Sequence, residues 1–244
     1  MKLLIDAGNT RLKWRLEQDG LVIDEGWSAL GGSDPLSDIE KRMGAVSRVG
    51  VSTVIQEEKR LELLAYLKRK VSAPVNFHWA EAWRCGLQNS YVDVQTMGAD
   101  RWHGMYGAWK RCKRGYAVID AGSAITVDYV NSAGEHLGGY ILPGLKMMLR
   151  SLKSDAARIL FEAGGVSGSD PGRSTAECVN QGLSWLSQAM IERVGRDISD
   201  FNLSQVLVTG GDAERLLQLG LEGAHYPSLV LEGLSYIDRE VAGE

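Results

Sequence analysis

Four residues, Ile-Asp-Ala-Gly, occur twice in this chain, and the same pattern surrounds them each time. Near the start the chain reads MKLLIDAGNTRLKWRL; past its midpoint it reads GYAVIDAGSAITVDYV. In both copies an apolar run ends on the aspartate (Asp6, Asp120), and a glycine follows two residues later. An alternating stretch then takes over: Leu12, Trp14 and Leu16 interleave with Arg11, Lys13 and Arg15, the period of a half-buried strand. Each copy therefore predicts a strand, a tight turn and a second strand. Third strands are expected at LVIDEGW (21–27) and around EHLGGYIL.

The rest of the chain repeats this α/β character. LGGSDP leads into a short helix, VSRVGVSTV reads as a strand, and EEKRLELLAYLKRK as an amphipathic helix with Leu61, Leu64, Ala65 and Lys68 along one face. PVNFHW is extended. Gly98-Ala99-Asp100 precedes an aromatic-rich helix whose basic end suits a C-terminus and which Gly115 closes. In the second half a helix is expected over Leu145 to Leu152, then a flexible segment, EAGGVSGSDPGRS. A long helix follows, with Val179, Gly182, Leu183, Leu186, Met190 and Val194 at helical spacing, and SQVLVTGGD is a buried strand before a short helix. The expected architecture is two duplicated α/β domains, residues 1–114 and 115–244, each a mixed sheet with flanking helices.

Composition narrows the function. A net charge of −4 over 244 residues argues against sequence-independent nucleic-acid binding, which needs a basic surface to displace counterions. Three widely spaced cysteines fit reduced thiols in the cytoplasm, and four histidines never fall at zinc-ligand spacing. No stretch has the apolar length of a membrane span.

A strand that ends in Asp and runs at once into a glycine turn has a chemical use. The carboxylate at the mouth of the sheet can hold Mg²⁺, and the glycine lets backbone N–H groups approach phosphate oxygens. One such turn is common punctuation; two, each between matching strands, point to a pair of loops gripping a nucleotide triphosphate from both sides. Other nucleotide motifs fail. GSDPGRST lacks the first P-loop glycine, where Ser167 stands, and has Arg173 for the lysine. GGVSGS follows no strand, so a dinucleotide fingerprint is unsupported.

DAGNT before a basic strand, then YVDVQTMGADRW, DAGSAITVDYV, GGYILPG, a Thr-headed helix and a late VTGGD together resemble the type III pantothenate kinases. These belong to the acetate and sugar kinase, chaperone ATPase and actin superfamily. The resemblance runs from residue 6 to about 212 and implies two actin-like (ribonuclease H-like) domains. It also implies ATP-dependent phosphorylation of the primary hydroxyl of pantothenate, the first step of coenzyme A synthesis. On that resemblance Asp6 holds the Mg²⁺ of MgATP. Ala7, Gly8, Asn9, Thr10, Arg11 and Leu12 form the ATP loop, with Lys13 as a nearby cation. Asp120 matches the site of a monovalent cation, K⁺ or NH₄⁺, and Ser123 contacts ATP in place of the usual threonine. Gly210 and Gly211 line the adenosine, although TGGD also reads as a plain strand-to-helix turn with Asp212 as N-cap.

Asp100 matches the catalytic base, the acceptor of the hydroxyl proton; read without the resemblance, it caps a helix starting at Arg101. Arg101 suits a carboxylate by bidentate geometry. Gly98, Ala99, Tyr91 and Thr175 complete the implied pantothenate site. Tyr91 otherwise reads as a strand aromatic, and Thr175 as a residue beside the Ser174 cap. Trp102 and Trp109 read as core or interface. A homodimer, with the GADR helix near its interface, is implied as well. The alternatives are another small-molecule kinase of the superfamily and a non-catalytic nucleotide-binding regulator.

Overall fold

A computed structural model of the protein describes residues 1–32, 34–155 and 170–243. Most of the expected flexible segment, Ser167 included, lies outside the described residues. The chain sorts into two compact units, Met1–Lys113 with Ser228–Glu244, and Arg114–Pro227. The change of unit near residue 113 falls in the basic segment, but the second half does not run to the chain end. Its last stretch returns to the first unit.

In the first unit five strands, β1 (Lys2–Ala7), β2 (Arg11–Gln18), β3 (Leu21–Ala29), β4 (Arg48–Thr53) and β5 (Val75–Phe77), lie in the order β3-β2-β1-β4-β5. The first three strands are antiparallel, and β1, β4 and β5 run parallel. Every residue of β1 is buried, because a central strand covered on both faces needs a continuous apolar run. A 3₁₀ helix (Ser37–Ala45), α1 (Glu57–Lys70) and α2 (Ala99–Arg111) complete the first part of the chain. The hairpin β6 (Trp83–Arg84) and β7 (Leu87–Gln88) turns through Cys85 and Gly86, both with positive φ (45° and 91°), the pairing a two-residue primed turn requires.

Helix α1 buries Leu63 and Leu67, while Leu61 is 53% exposed and Ala65 and Lys68 face solvent. The expected face is therefore wrong by half a turn. The run LELLAYL carries two overlapping stripes, and the one holding Leu63, Tyr66 and Leu67 has the larger apolar surface for the core.

The last helix, α6 (Leu229–Ala242), packs on α2 at very short range. A Cβ on Gly107 would stand 2.7 Å from the Leu229 carbonyl oxygen, and one on Gly233 only 1.8 Å from that of His103. Nine consecutive α2 residues, Arg101 to Trp109, are buried. Trp102 and Trp109 are thus core, at 0% and 5% exposure.

The second unit repeats the plan. Strands β8 (Tyr116–Ala121), β9 (Ala124–Val130), β10 (His136–Pro143), β11 (Gln205–Thr209) and β12 (Ala224–His225) take the order β10-β9-β8-β11-β12, with the same parallel and antiparallel relations. Helices α3 (Leu145–Asp155), α4 (Thr175–Asp200) and α5 (Ala213–Gln218) accompany it. Helix α4 buries Leu183, Ser187 and Val194, but Leu186, expected inside, is exposed. Among the described residues no helix is long and apolar enough to cross a membrane.

Candidate active site

The two Asp-Ala-Gly loops occupy the same topological place in their units, yet they differ by one residue. In the first, four residues (Gly8 to Arg11) separate the paired Ala7 and Leu12, and Gly8 N–H donates to the Arg11 carbonyl at 3.0 Å. In the second, three residues (Gly122 to Ala124) separate Ala121 and Ile125, and Gly122 N–H donates to the Ala124 carbonyl at 2.9 Å. The tighter second turn places Thr126 opposite Asp120, where the first has Lys13 opposite Asp6.

In the first unit Asp6 is buried at the end of β1, between Lys13 on β2 and Ser52 on β4. Gly8 is half-buried, and Asn9 and Thr10 are exposed at the tip. The Arg11 guanidinium lies 4.5 Å from the ring centroid of Trp27 on β3, which fixes the loop's far side. Thr53, next after Ser52, donates its hydroxyl to the Ala7 carbonyl at 3.1 Å.

The GADR residues of the same unit form a second cluster. Helix α2 begins at Ala99 with Gly98 as N-cap, so Asp100 stands inside the first turn and is not the cap. One carboxylate oxygen accepts the Arg101 N–H at 2.8 Å, and a Cβ on Gly98 would meet that oxygen at 2.7 Å. Glycine at 98 thus makes room for the Asp100 carboxylate. Arg101 is buried, donates to the Tyr91 hydroxyl at 2.5 Å and lies 5.5 Å from its ring centroid. Asp100, Arg101 and Tyr91 therefore form one cluster.

His103, three residues beyond Asp100, is fully buried with its Nδ1 2.7 Å from Ser52 Oγ. Burial above all, with the Arg84 guanidinium adding to it, lowers its pKa from 6.5 to about 3, so the ring is neutral.

In the second unit, Gly210 has φ +95°, and a Cβ there would lie 2.4 Å from an Asp120 carboxylate oxygen and 2.5 Å from Ala121. Gly122 leaves further space, its Cβ direction 3.5 Å from the same oxygen. The Asp120 carboxylate thus sits in a cradle that a side chain at 210 would crowd, while one at 122 would meet it only at ordinary van der Waals distance. A backbone bond from Asp212 N–H to the Ala121 carbonyl, 2.9 Å, closes it. Asp212 takes the N-cap position of α5 without a side-chain cap bond. Gly144 supports the loop: its N–H donates to Ser123 at 3.1 Å, and a Cβ would come within 2.6 Å of the Gly122 and Ser123 carbonyls. Gly211 and Thr175 are exposed, the latter in the first turn of α4 after Ser174, whose hydroxyl accepts the Glu177 N–H.

Sequence reasoning passed over Ser52, Thr53, His103 and Gly144. The Pro-Gly pair at 143–144 was the available signal for the last. A cavity of about 630 Å³ in the second unit is lined by Ile191, Val194, Ile198, Val206 and Leu221, toward the start of β11 and away from Thr209 and Gly210. Among the described residues no group of three or more His, Cys, Asp or Glu could hold a metal alone. A divalent ion here suits one carboxylate plus ligand phosphates, the usual habit of Mg²⁺.

The sequence model of type III pantothenate kinases matches residues 2–197. A type III pantothenate kinase of Marinobacter nauticus is 53% identical over 237 residues, 97% of this chain and 98% of that one. Another, from Alcanivorax borkumensis, is 34% identical over 97% of this chain and 98% of its own. Among solved structures a Baf family protein of Campylobacter jejuni aligns over 99% of this chain and 100% of its own, with TM-score 0.60 and 21% identity. Component A of (R)-2-hydroxyglutaryl-CoA dehydratase from Acidaminococcus fermentans aligns over 100% and 99%, with TM-score 0.55 and 14% identity. These two likenesses concern the fold, two duplicated actin-like α/β domains.

Proposed function

Since this chain belongs to the type III pantothenate kinases, which phosphorylate pantothenate with ATP in coenzyme A synthesis, we propose that Asp100 is the base of that transfer. The oxygen of the pantothenate primary hydroxyl forms a bond to the γ-phosphorus as the bond to the ADP oxygen breaks. The hydroxyl proton passes to the Asp100 carboxylate. An ordinary carboxylate suffices, because the alcohol becomes acidic only as its bond to phosphorus forms. The observation that carries this reading is the cluster at the start of α2. A carboxylate given room by Gly98 stands beside a buried guanidinium that Tyr91 aligns. Arg101 takes the substrate carboxylate, with Tyr91, Gly98 and Ala99 around it and Thr175 as a further contact.

ATP comes with a divalent metal, which would neutralise phosphate charge; we assign Asp6 to hold it. Gly8, Asn9 and Thr10 offer donors to phosphate oxygens, and Lys13 adds positive charge opposite Asp6. Ser123, Gly210 and Gly211 contact ATP in the second unit. Asp120 in its glycine cradle is the seat of a monovalent cation, K⁺ or NH₄⁺. A homodimer belongs to this reading, supported by exposed Trp83 and Val92 near Tyr91 in sequence. So does a cytoplasmic setting, supported by three free cysteines.

Asp100→Asn tests the base. The variant is expected to bind ATP as the parent does and to lose pantothenate-dependent ADP release by about 10²-fold or more. Turnover near the parent rate would remove Asp100 from this role.

A further inference from the structure

We propose that Ser52 and Thr53, adjacent at the end of β4, are positioning residues that hold the two parts of the first unit's site to one strand. Thr53 anchors the phosphate loop through the Ala7 carbonyl, and Ser52 anchors the start of α2 through His103. The inference rests on the roles just given to that loop and to Asp100.

Neighbours on a strand point to opposite faces, so a Ser-Thr pair can reach two different elements. Both side chains are buried, Ser52 at 0% and Thr53 at 2% exposure. The Thr53 hydroxyl is fully committed. It donates to the Ala7 carbonyl at 3.1 Å and accepts the Ile55 N–H at 3.2 Å, which leaves it no freedom to rotate. The Ala7 carbonyl lies between Asp6 and Gly8, so fixing it fixes the carboxylate and the glycine turn together. Val54 N–H also points at it, at 3.4 Å.

The second unit supplies a comparison within the same chain. There the equivalent carbonyl, Ala121, accepts the Asp212 N–H at 2.9 Å from the segment following β11, the strand that pairs with β8 as β4 pairs with β1. In both units this carbonyl is tied to the neighbouring strand or its continuation, in the first by the Thr53 hydroxyl together with a longer Val54 N–H bond and in the second by the Asp212 N–H. The bond recurs although the atoms that make it differ.

On the other face, Ser52 Oγ lies 2.7 Å from His103 Nδ1. His103 is three residues from Asp100, one turn along the same side of α2. That anchor matters because Gly98 gives α2 no side-chain cap, so the helix's own first turn does not fix where it begins. A neutral, buried His103 can hold this bond without carrying charge into the core. Gly98 itself faces Val54, whose Cγ1 would lie 3.4 Å from an added Cβ. Three successive residues of one strand end thus touch both halves of the site.

The full-length enzyme tests this by a split between its two Michaelis constants. Thr53→Val keeps shape and loses both bonds of the hydroxyl; the one to the Ala7 carbonyl bears on the loop, and its loss should raise the ATP KM about three- to tenfold, with the pantothenate KM within about twofold. Thr53→Ser should restore the parent value. Ser52→Ala should do the reverse, raising the pantothenate KM or lowering kcat by about three- to tenfold with the ATP KM unchanged. The double variant Ser52→Ala with His103→Leu should lose little more than the worse single one. Both constants moving together in each variant, or parent constants with kcat reduced only by the unfolded fraction in a thermal melt, would overturn the proposal. Asp100→Asn run alongside separates the readings: parent turnover there sinks the base assignment, while the ATP response of Thr53→Val is still decided by its own data.

Discussion

At position 210 a single methyl group would enter space held by the Asp120 carboxylate, 2.4 Å away, on a backbone with φ +95°. Gly210→Ala therefore meets two costs, a left-handed conformation of about 1–2 kcal/mol and a displaced carboxylate. On the proposal that Asp120 seats a monovalent cation, the expected result is a lower melting temperature and loss of any K⁺ stimulation, measured as ADP release in K⁺ against Na⁺. Parent-like stimulation would separate Gly210 from the cation seat. Tyr91→Phe is the matching test on the substrate side. It keeps the ring over Arg101 and removes the 2.5 Å bond to its guanidinium. A hydrogen bond to a charged group is worth about 1.5–3 kcal/mol, so the pantothenate KM should rise about tenfold or more, with the ATP KM unchanged. The two aspartate loops were legible because a strand, a carboxylate and a glycine are neighbours in sequence. The crowding of Gly210 against Asp120 was not, since nothing local in VTGGD reveals a carboxylate ninety residues upstream.

At the scale of elements, the α2–α6 crossing depends on two glycines, and Gly233 is the tighter. An alanine Cβ would fall 1.8 Å from the His103 carbonyl, so Gly233→Ala must push α6 outward. Overpacking of this kind costs roughly 1–3 kcal/mol, measurable as a shift in urea midpoint; an unchanged midpoint would contradict the packing. Docking of α2 also has a pH signature. His103 titrates near 6.5 when exposed and at about 3 in the fold, because burial excludes its proton. Between those values the unfolded chain binds a proton that the native chain does not. Stability from this group is complete above about 6.5 and is lost as pH falls, by about 1.4 kcal/mol per unit. His103→Gln should flatten that slope between pH 6.5 and 5, read by urea unfolding at each pH; an identical slope would mean that His103 is not excluded from protonation. Helix α1 shows why faces are harder to read than elements. Its limits, Glu57 and Lys70, match the expected helix, yet LELLAYL offers two stripes, and only the core decided for Leu63 and Leu67.

At the scale of the molecule, the duplicated strand order was foreshadowed by the repeated motif, but the return of α6 to the first unit had no local signal. Its partners lie more than 150 residues away, such as Glu17 for Ser235 and Arg48 for Asp238. The consequence can be tested by ending the chain after Pro227. That removes Leu229, Leu231, Leu234 and Ile237, all buried, each worth about 1.5–3 kcal/mol. It also takes Asp238 away from Lys2, Arg48 and His78, which share it as an ion-pair partner. Burial alone would raise the Asp238 pKa, yet His78, Arg48 and Lys2 hold it below its ordinary value, so that carboxylate is an anion the cluster relies on. A loss of this size equals a typical domain's whole stability of about 5–15 kcal/mol. The truncated chain should therefore lose the first unit, while proteolysis leaves a fragment near residues 114–227. Adding a peptide of residues 228–244 should restore protection to residues 1–113. Protection of both units without the peptide would show that α6 decorates the first unit and does not complete its core.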